Sequence, residues 1–129
     1  MTDTTGFEYV RSVDFAALEE LPSDKRFSQV LLDRASGAEH CTAAYIRTPA
    51  GGGSPEGMHV HDFEQVFYVL DGTMTVQIGD DRQEVSSGSL IVFPAGQPHR
   101  NWNATDTPTI HLAFAAPAPK VGDKGTYPA

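Results

Sequence analysis

Residues 53–72, GSPEGMHVHDFEQVFYVLDG, hold the reading that decides the fold. Val66-Phe67-Tyr68-Val69-Leu70 is a run of β-branched, aromatic and aliphatic residues, and Asp71-Gly72 closes it. Asp-Gly between two such runs is a strong hairpin signal. The second run is Met74–Ile78, in which Met74, Val76 and Ile78 alternate with Thr75 and Gln77. One face of that strand is therefore buried and the other is not. Upstream, a Gly-rich loop leads into His59-Val60-His61. Residues i and i+2 of a strand share a face, with Cα atoms about 6.5–7 Å apart. Two imidazoles at that spacing can converge on one divalent ion. On its own His-x-His is a weak signal, shared with exposed or core-satisfied histidine pairs. Gln65 lies at an even offset from both and projects to the same side if the chain stays extended.

The same punctuation continues outward. Gly79-Asp80-Asp81 turns into Gln83-Glu84-Val85, and Ser87-Gly88 precedes Leu90-Ile91-Val92-Phe93, which Pro94 stops. Val30-Leu31-Leu32, Cys41–Arg47 and Ile110–Phe114 read as further strands. About eight short strands with tight turns predict a closed or double-sheet all-β architecture, because closure removes exposed edges. Only the N-terminal arm, residues 1–26, predicts a helix: Asp14 caps Phe15–Leu21, and Pro22 stops it. The expected organisation is this arm, a barrel over 27–117, and a Pro- and Gly-rich tail over 118–129, extended on the surface or frayed.

Composition bounds the function. The chain has 129 residues, 40% hydrophobic, with nine Lys+Arg against seventeen Asp+Glu and a net charge of −8. That balance argues against nucleic acid or an anionic membrane surface as a partner. Cys41 is the single cysteine, so an intrachain disulfide and Cys-based zinc modules are excluded. Met1–Gly6 has neither a basic nor an apolar region of a secretory leader, so a cytoplasmic protein is expected.

Two motifs carry a family resemblance. The first runs Gly53, five residues, His59-x-His61, three residues, Gln65, six residues, Gly72. The second runs Gly88, five residues, Pro94-x-Gly96, two residues, His99, three residues, Asn103. The chain resembles the cupins, whose motifs have this spacing with Glu where Gln65 stands. The resemblance covers roughly Val30 to Pro117. It implies a double-stranded β-helix, or jelly-roll barrel, of six to eight strands around a divalent transition metal. Fe2+, Mn2+, Ni2+, Co2+, Cu2+ and Zn2+ are all compatible.

By position the implied metal ligands are His59, His61, His99 and Gln65. The Gln is the departure: an amide oxygen is neutral and a weaker ligand than a carboxylate. Glu64 is its rival, although its odd offset from His61 points it away from the pair. A site of neutral ligands leaves the ion's charge uncompensated and favours anionic, bidentate substrates. His111, on the face opposite Ile110, Leu112 and Phe114, is either a general base in the lumen or a surface or supporting histidine. Glu64 or His111 is the expected proton shuttle. Arg47 and Arg100 are cations near the motifs, able to pair with a substrate carboxylate or to be salt-bridged elsewhere. Asn103 is expected to buttress a turn and Cys41 to be a small buried hydrophobe. Tyr45, Phe67, Tyr68, Met58, Phe93 and Trp102 are read as core or pocket wall.

The functional expectation is a metal-dependent enzyme on a small chelating substrate, of dioxygenase type. A lyase, isomerase or cyclase without O2, or a non-catalytic binding or sensor module, are the alternatives. Cupins of this size are similar in commonly forming dimers, so a homodimer is expected.

Overall fold

The structure is a computed structural model and describes residues 8–55, 57–118 and 125–128. In the N-terminal arm, α1 spans Phe15–Glu20, and the Asp14 side chain accepts a hydrogen bond from the Ala17 N–H at 3.0 Å. Leu21 is already extended, one residue short of the predicted end. The reason is local, since a residue preceding proline is pushed out of the helical region.

The barrel follows as β1 (Phe27–Leu32), β2 (Thr42–Thr48), β3 (His59–His61), β4 (Glu64–Asp71), β5 (Thr73–Ile78), β6 (Asp81–Ser86), β7 (Leu90–Phe93), β8 (His99–Trp102) and β9 (Thr109–Ala116). A tenth strand, β10, spans Thr126–Pro128. They form two antiparallel five-stranded sheets, ordered β1-β2-β9-β4-β7 and β10-β3-β8-β5-β6. Only β1–β2 and β5–β6 are consecutive paired strands, while β9 returns to lie between β2 and β4. The all-β double-stranded β-helix expected from the motifs is the observed fold.

One end of the barrel is closed by apolar side chains. Phe67, Val69, Met74, Val76, Ile91 and Phe93 form the core, with Val69 and Phe93 fully buried. Burying each contributes about 1.5–3 kcal/mol, which makes this end the anchor of the fold. In β5 Met74 and Val76 are buried as the alternation predicts, but Thr75 on the opposite face is buried as well, at 7% exposure. In β4, Gln65, Phe67 and Val69 share the inward face and Glu64 is exposed. Two glycines fix the geometry. Asp71-Gly72 is a tight turn but not the expected hairpin: β4 pairs with β7 and β9 and β5 with β6 and β8, so the turn carries the chain from one sheet to the other. Gly72 makes that turn at φ +81°, and a Cβ there would press against the Pro108 carbonyl at 2.8 Å. Gly53 lies against β8 at φ +145°, where a Cβ would run into the Asn101 carbonyl and the Trp102 backbone. Only glycine lets that loop close down on the strand that carries His99.

Asn103 buttresses its turn as expected. It is fully buried, donates to the Thr48 and Thr107 carbonyls, and accepts from the Thr105 N–H and hydroxyl. Residues 126–128 of the tail are extended and exposed, and Thr126–Pro128 pair along the open edge of β3. Two further expectations are corrected. Arg47 does not await a substrate: its buried guanidinium donates to the carbonyls of Leu18, Leu21, Pro22 and Lys25, so it straps the arm to the barrel. Cys41 is half-buried. Among the described residues, no helix is long and apolar enough to cross a membrane.

Candidate metal centre

The histidines are brought together by register. In the β3–β8 pair His59 stands directly opposite His99, and His61 lies two residues along the same face. Directly opposed antiparallel residues hold their Cβ atoms about 4.5–5.5 Å apart. The ring centroids are accordingly 4.3 Å (His59–His99), 4.9 Å (His59–His61) and 4.8 Å (His61–His99) apart. One ring nitrogen from each lies within 4.8 Å of the others. His61 and His99 are buried, at 7% and 1% exposure, and His59 is half-buried.

Hydrogen bonding leaves lone pairs available. His99 Nδ1 lies 2.9 Å from the Gln97 carbonyl oxygen, which only accepts, so Nδ1 carries the proton and Nε2 bears the lone pair. That Nε2 is buried and has no hydrogen-bond partner among the described residues. His61 Nδ1 is 3.0 Å from the Thr126 hydroxyl of β10. All three imidazoles are held in the neutral form. Burial is the main cause of each depressed pKa, and it takes His59 to about 4 with the neighbouring His99 and His61 adding to it. For His61, hydrogen bonds to the Gly125 carbonyl and Gln65 and the nearby Asp62 oppose burial. For His99, the Gln97 carbonyl opposes burial and the His61 charge reinforces it. Three convergent neutral imidazoles, one with an orphaned buried nitrogen, are what a divalent transition metal requires, and this group could hold one.

A cavity of about 270 Å³ adjoins the histidines, lined among others by His59, His61, Gln65, Asn101, His111 and Arg26. Gln65 therefore faces the cavity and reaches His61, as its even offset predicts. Glu64 does not line it; it is exposed on the other face of β4. His111 is in the lumen, not on the surface: it is 1% exposed, and neither ring nitrogen has a partner among the described residues. Burial, with a lesser push from the Arg26 charge, lowers its pKa to about 4. Arg26, just before β1, is the cation that lines this cavity. Arg100 is on the outer face of β8, its guanidinium over the Trp102 ring at 4.3 Å.

Two participants escaped the sequence reading. Thr126 faces His61 because β10 pairs with β3 in the register Thr126↔His61. The faint signal was a Thr-Tyr pair inside a Gly- and Pro-rich tail. Arg26 carried no signal at all, since nothing local ties it to motifs that begin 27 residues away.

Comparisons with known proteins agree with this geometry. The family model described as Cupin domain matches residues 44–114, more than half of the chain. A curated relative, the uncharacterized protein SCO3923 of Streptomyces coelicolor, is 23% identical over 65 residues, which is 50% of this chain. The matched part spans 62% of that relative's length. Among solved structures, the polyketide cyclase RemF from Streptomyces resistomycificus superposes with a TM-score of 0.68 at 23% identity, covering 100% of this chain and 84% of its own. TT1209 from Thermus thermophilus superposes with a TM-score of 0.67 at 24% identity, covering 84% of this chain and 98% of its own. At such identities the structures speak for the fold alone. Fold, both motifs and the family match converge: the chain belongs to the cupin domain family.

Proposed function

We propose that the protein is a metal-dependent enzyme acting on a small, anionic, metal-chelating organic substrate, with dioxygenase-type oxidation as its first form. The observation that carries this reading is His111, a buried neutral imidazole with no partner for either nitrogen among the described residues, facing the same cavity as the three clustered histidines. A satisfied structural histidine would have its nitrogens bonded. His59, His61 and His99 are the ligands, and Gln65 is a labile fourth ligand that yields to substrate. When bound, the ion polarises substrate oxygens as a Lewis acid and, if redox-active, makes O2 chemistry accessible.

The chain's own residues do the rest. A ring nitrogen of His111 accepts the proton of a substrate hydroxyl or enol; its depressed pKa keeps it free to do so at neutral pH. Arg26 pairs with the anion, the Asn101 side chain orients it, and Ile46 and Phe67 keep water from the inner wall. Glu64, exposed on the far face of its strand, is given no part.

A second reading, a cyclase, lyase or isomerase that needs no O2, is favoured by the same proton acceptor and by the likeness to a polyketide cyclase. Metal-reconstituted protein should consume O2 with a panel of β-diketones, catechols and hydroxyflavones. No uptake refutes the oxygenase form; turnover under argon establishes the second. A chelator recovered unchanged in both atmospheres makes the protein a binding module. Gln65→Glu should tighten manganese binding and Gln65→Ala weaken it, and unchanged affinity in both refutes Gln65 as a ligand. We further place the protein in the cytoplasm, with no nucleic-acid partner, on its acidic charge and single cysteine.

A further inference from the structure

A second, larger pocket of about 420 Å³ opens beside the histidine cavity. The two are neighbours, since Ser54, Pro55 and His59 line both. Their linings differ in kind. The inner cavity presents imidazoles, amides and a guanidinium, whereas the outer one is walled by Pro55, Met58, Tyr127 and Pro128. The volume lies in the range of small-molecule sites and is ample for one or two fused rings. Proline faces and a tyrosine make rigid walls, and a thioether adapts to a flat π-face with favourable sulfur–aromatic contact. A molecule that fills both pockets is therefore two-ended.

We infer that the substrate carries an aromatic body on its chelating head, and that Met58 together with Tyr127 and Pro128 of β10 selects that body. This rests on the metal-site reading for the head, but the outer pocket is an independent feature. Strand β10 thus contributes twice, with Thr126 behind His61 and its neighbours as the wall against which the body lies.

Hydroxamates test it, because the bidentate head can be held constant. Zinc affinity is measured first by calorimetry, and then the binding of acetohydroxamate, 2-naphthohydroxamate and octanohydroxamate to the zinc-loaded protein. The naphthyl compound should bind at least about tenfold more tightly than the acetyl one, as expected from burying its apolar rings. Met58→Gln and Tyr127→Ser should each shrink that ratio several-fold. A ratio near one, or one that neither variant changes, overturns the inference. Tighter binding of the octyl compound overturns the aromatic assignment. Absence of zinc binding refutes the metal-site reading instead. The outer pocket is then decided on zinc-free protein by saturation transfer to 2-naphthamide, which has no chelating head. The signal should be present in the wild type and lost in Met58→Gln, and its absence from the wild type overturns the inference.

Discussion

Replacing His111 by Leu in chelator-treated protein should remove a large, separable part of the protein's sensitivity to mild acid. Folded His111 titrates near pH 4, chiefly because it is buried, whereas an unfolded histidine titrates near 6.5. Below pH 6.5 the unfolded chain takes up a proton that the folded chain refuses until about pH 4. The folded state is therefore favoured in full above pH 6.5 and loses about 1.4 kcal/mol per pH unit as the pH falls toward 4. Over that window the loss amounts to about 3 kcal/mol, a large share of an ordinary domain's stability. At 1% exposure, little solvent screening reduces the figure. His59 also titrates near 4, but it is present in both proteins and cancels from the comparison.

The assay is urea unfolding followed by the fluorescence of Trp102, the single tryptophan, at pH 7.5, 6.5, 5.5 and 4.5. Wild type should lose about 2–3 kcal/mol more than His111→Leu between pH 6.5 and 4.5, with equal m-values throughout. At pH 7.5 the variant should be as stable or more so, since it removes two buried nitrogens that have no partner among the described residues. Parallel curves would refute the reasoning, because they would mean that His111 titrates alike in the folded and unfolded chains.

Other consequences follow from the same contacts. Thr126→Val removes the hydroxyl behind His61 and should weaken cobalt binding about 10–100-fold with an altered visible spectrum, while Thr126→Ser restores both. An unchanged spectrum and affinity would remove Thr126 from the site. Arg47→Met leaves four carbonyls of the arm without their donor and should cost about 3–5 kcal/mol. Limited proteolysis should then cut between residues 8 and 26, and an arm as resistant as in wild type contradicts the strap. Leu70, Leu90 and Val92 are exposed on the outer face of the β4–β7 pair, with Leu90 at 69%. Two copies can meet through this uncharged stripe without burying like charges of a −8 chain, so we expect sedimentation to return twice 13.9 kDa. Leu90→Lys with Val92→Lys should yield monomers, and a monomeric wild type overturns the dimer.

The fold was legible wherever local chemistry was self-sufficient. Asp71-Gly72 turns the chain whatever surrounds it, and the alternation of Met74, Val76 and Ile78 needs only a core on one side. That the turn joins two sheets and not two paired strands was hidden, because the partners of β4 and β5 lie far along the chain. The histidines were legible as a set because β3 and β8 are short and flanked by glycine and proline turns, which leaves their rings few directions. Arg47 misled because a cation near a motif says nothing about what the arm does 22 to 29 residues earlier. β10 was hidden for a related reason. A three-residue strand has almost no propensity of its own and exists because the edge of β3 offers it hydrogen bonds. Such an element belongs to its partner strand, so its residues read as tail.

The core and the site are one device. Each buried imidazole packs against a phenylalanine: Phe93 on His99 at 4.6 Å, Phe63 on His61 at 4.6 Å, and Phe67 on His111 at 4.3 Å. Burial among such rings is the first cause of the depressed pKa in all three. A neutral imidazole is what a metal ligand and a proton acceptor both need at pH 7. The side chains that close the barrel therefore also set its chemistry, through desolvation and not through a specific bond. Phe67→Ser shows the difference from a purely structural role. Admitting water beside His111 should raise that group's pKa toward 6.5, so acid sensitivity should fall even though overall stability falls with it. A core substitution that only loosened packing would lower stability equally at every pH. The two effects separate in one series of unfolding curves.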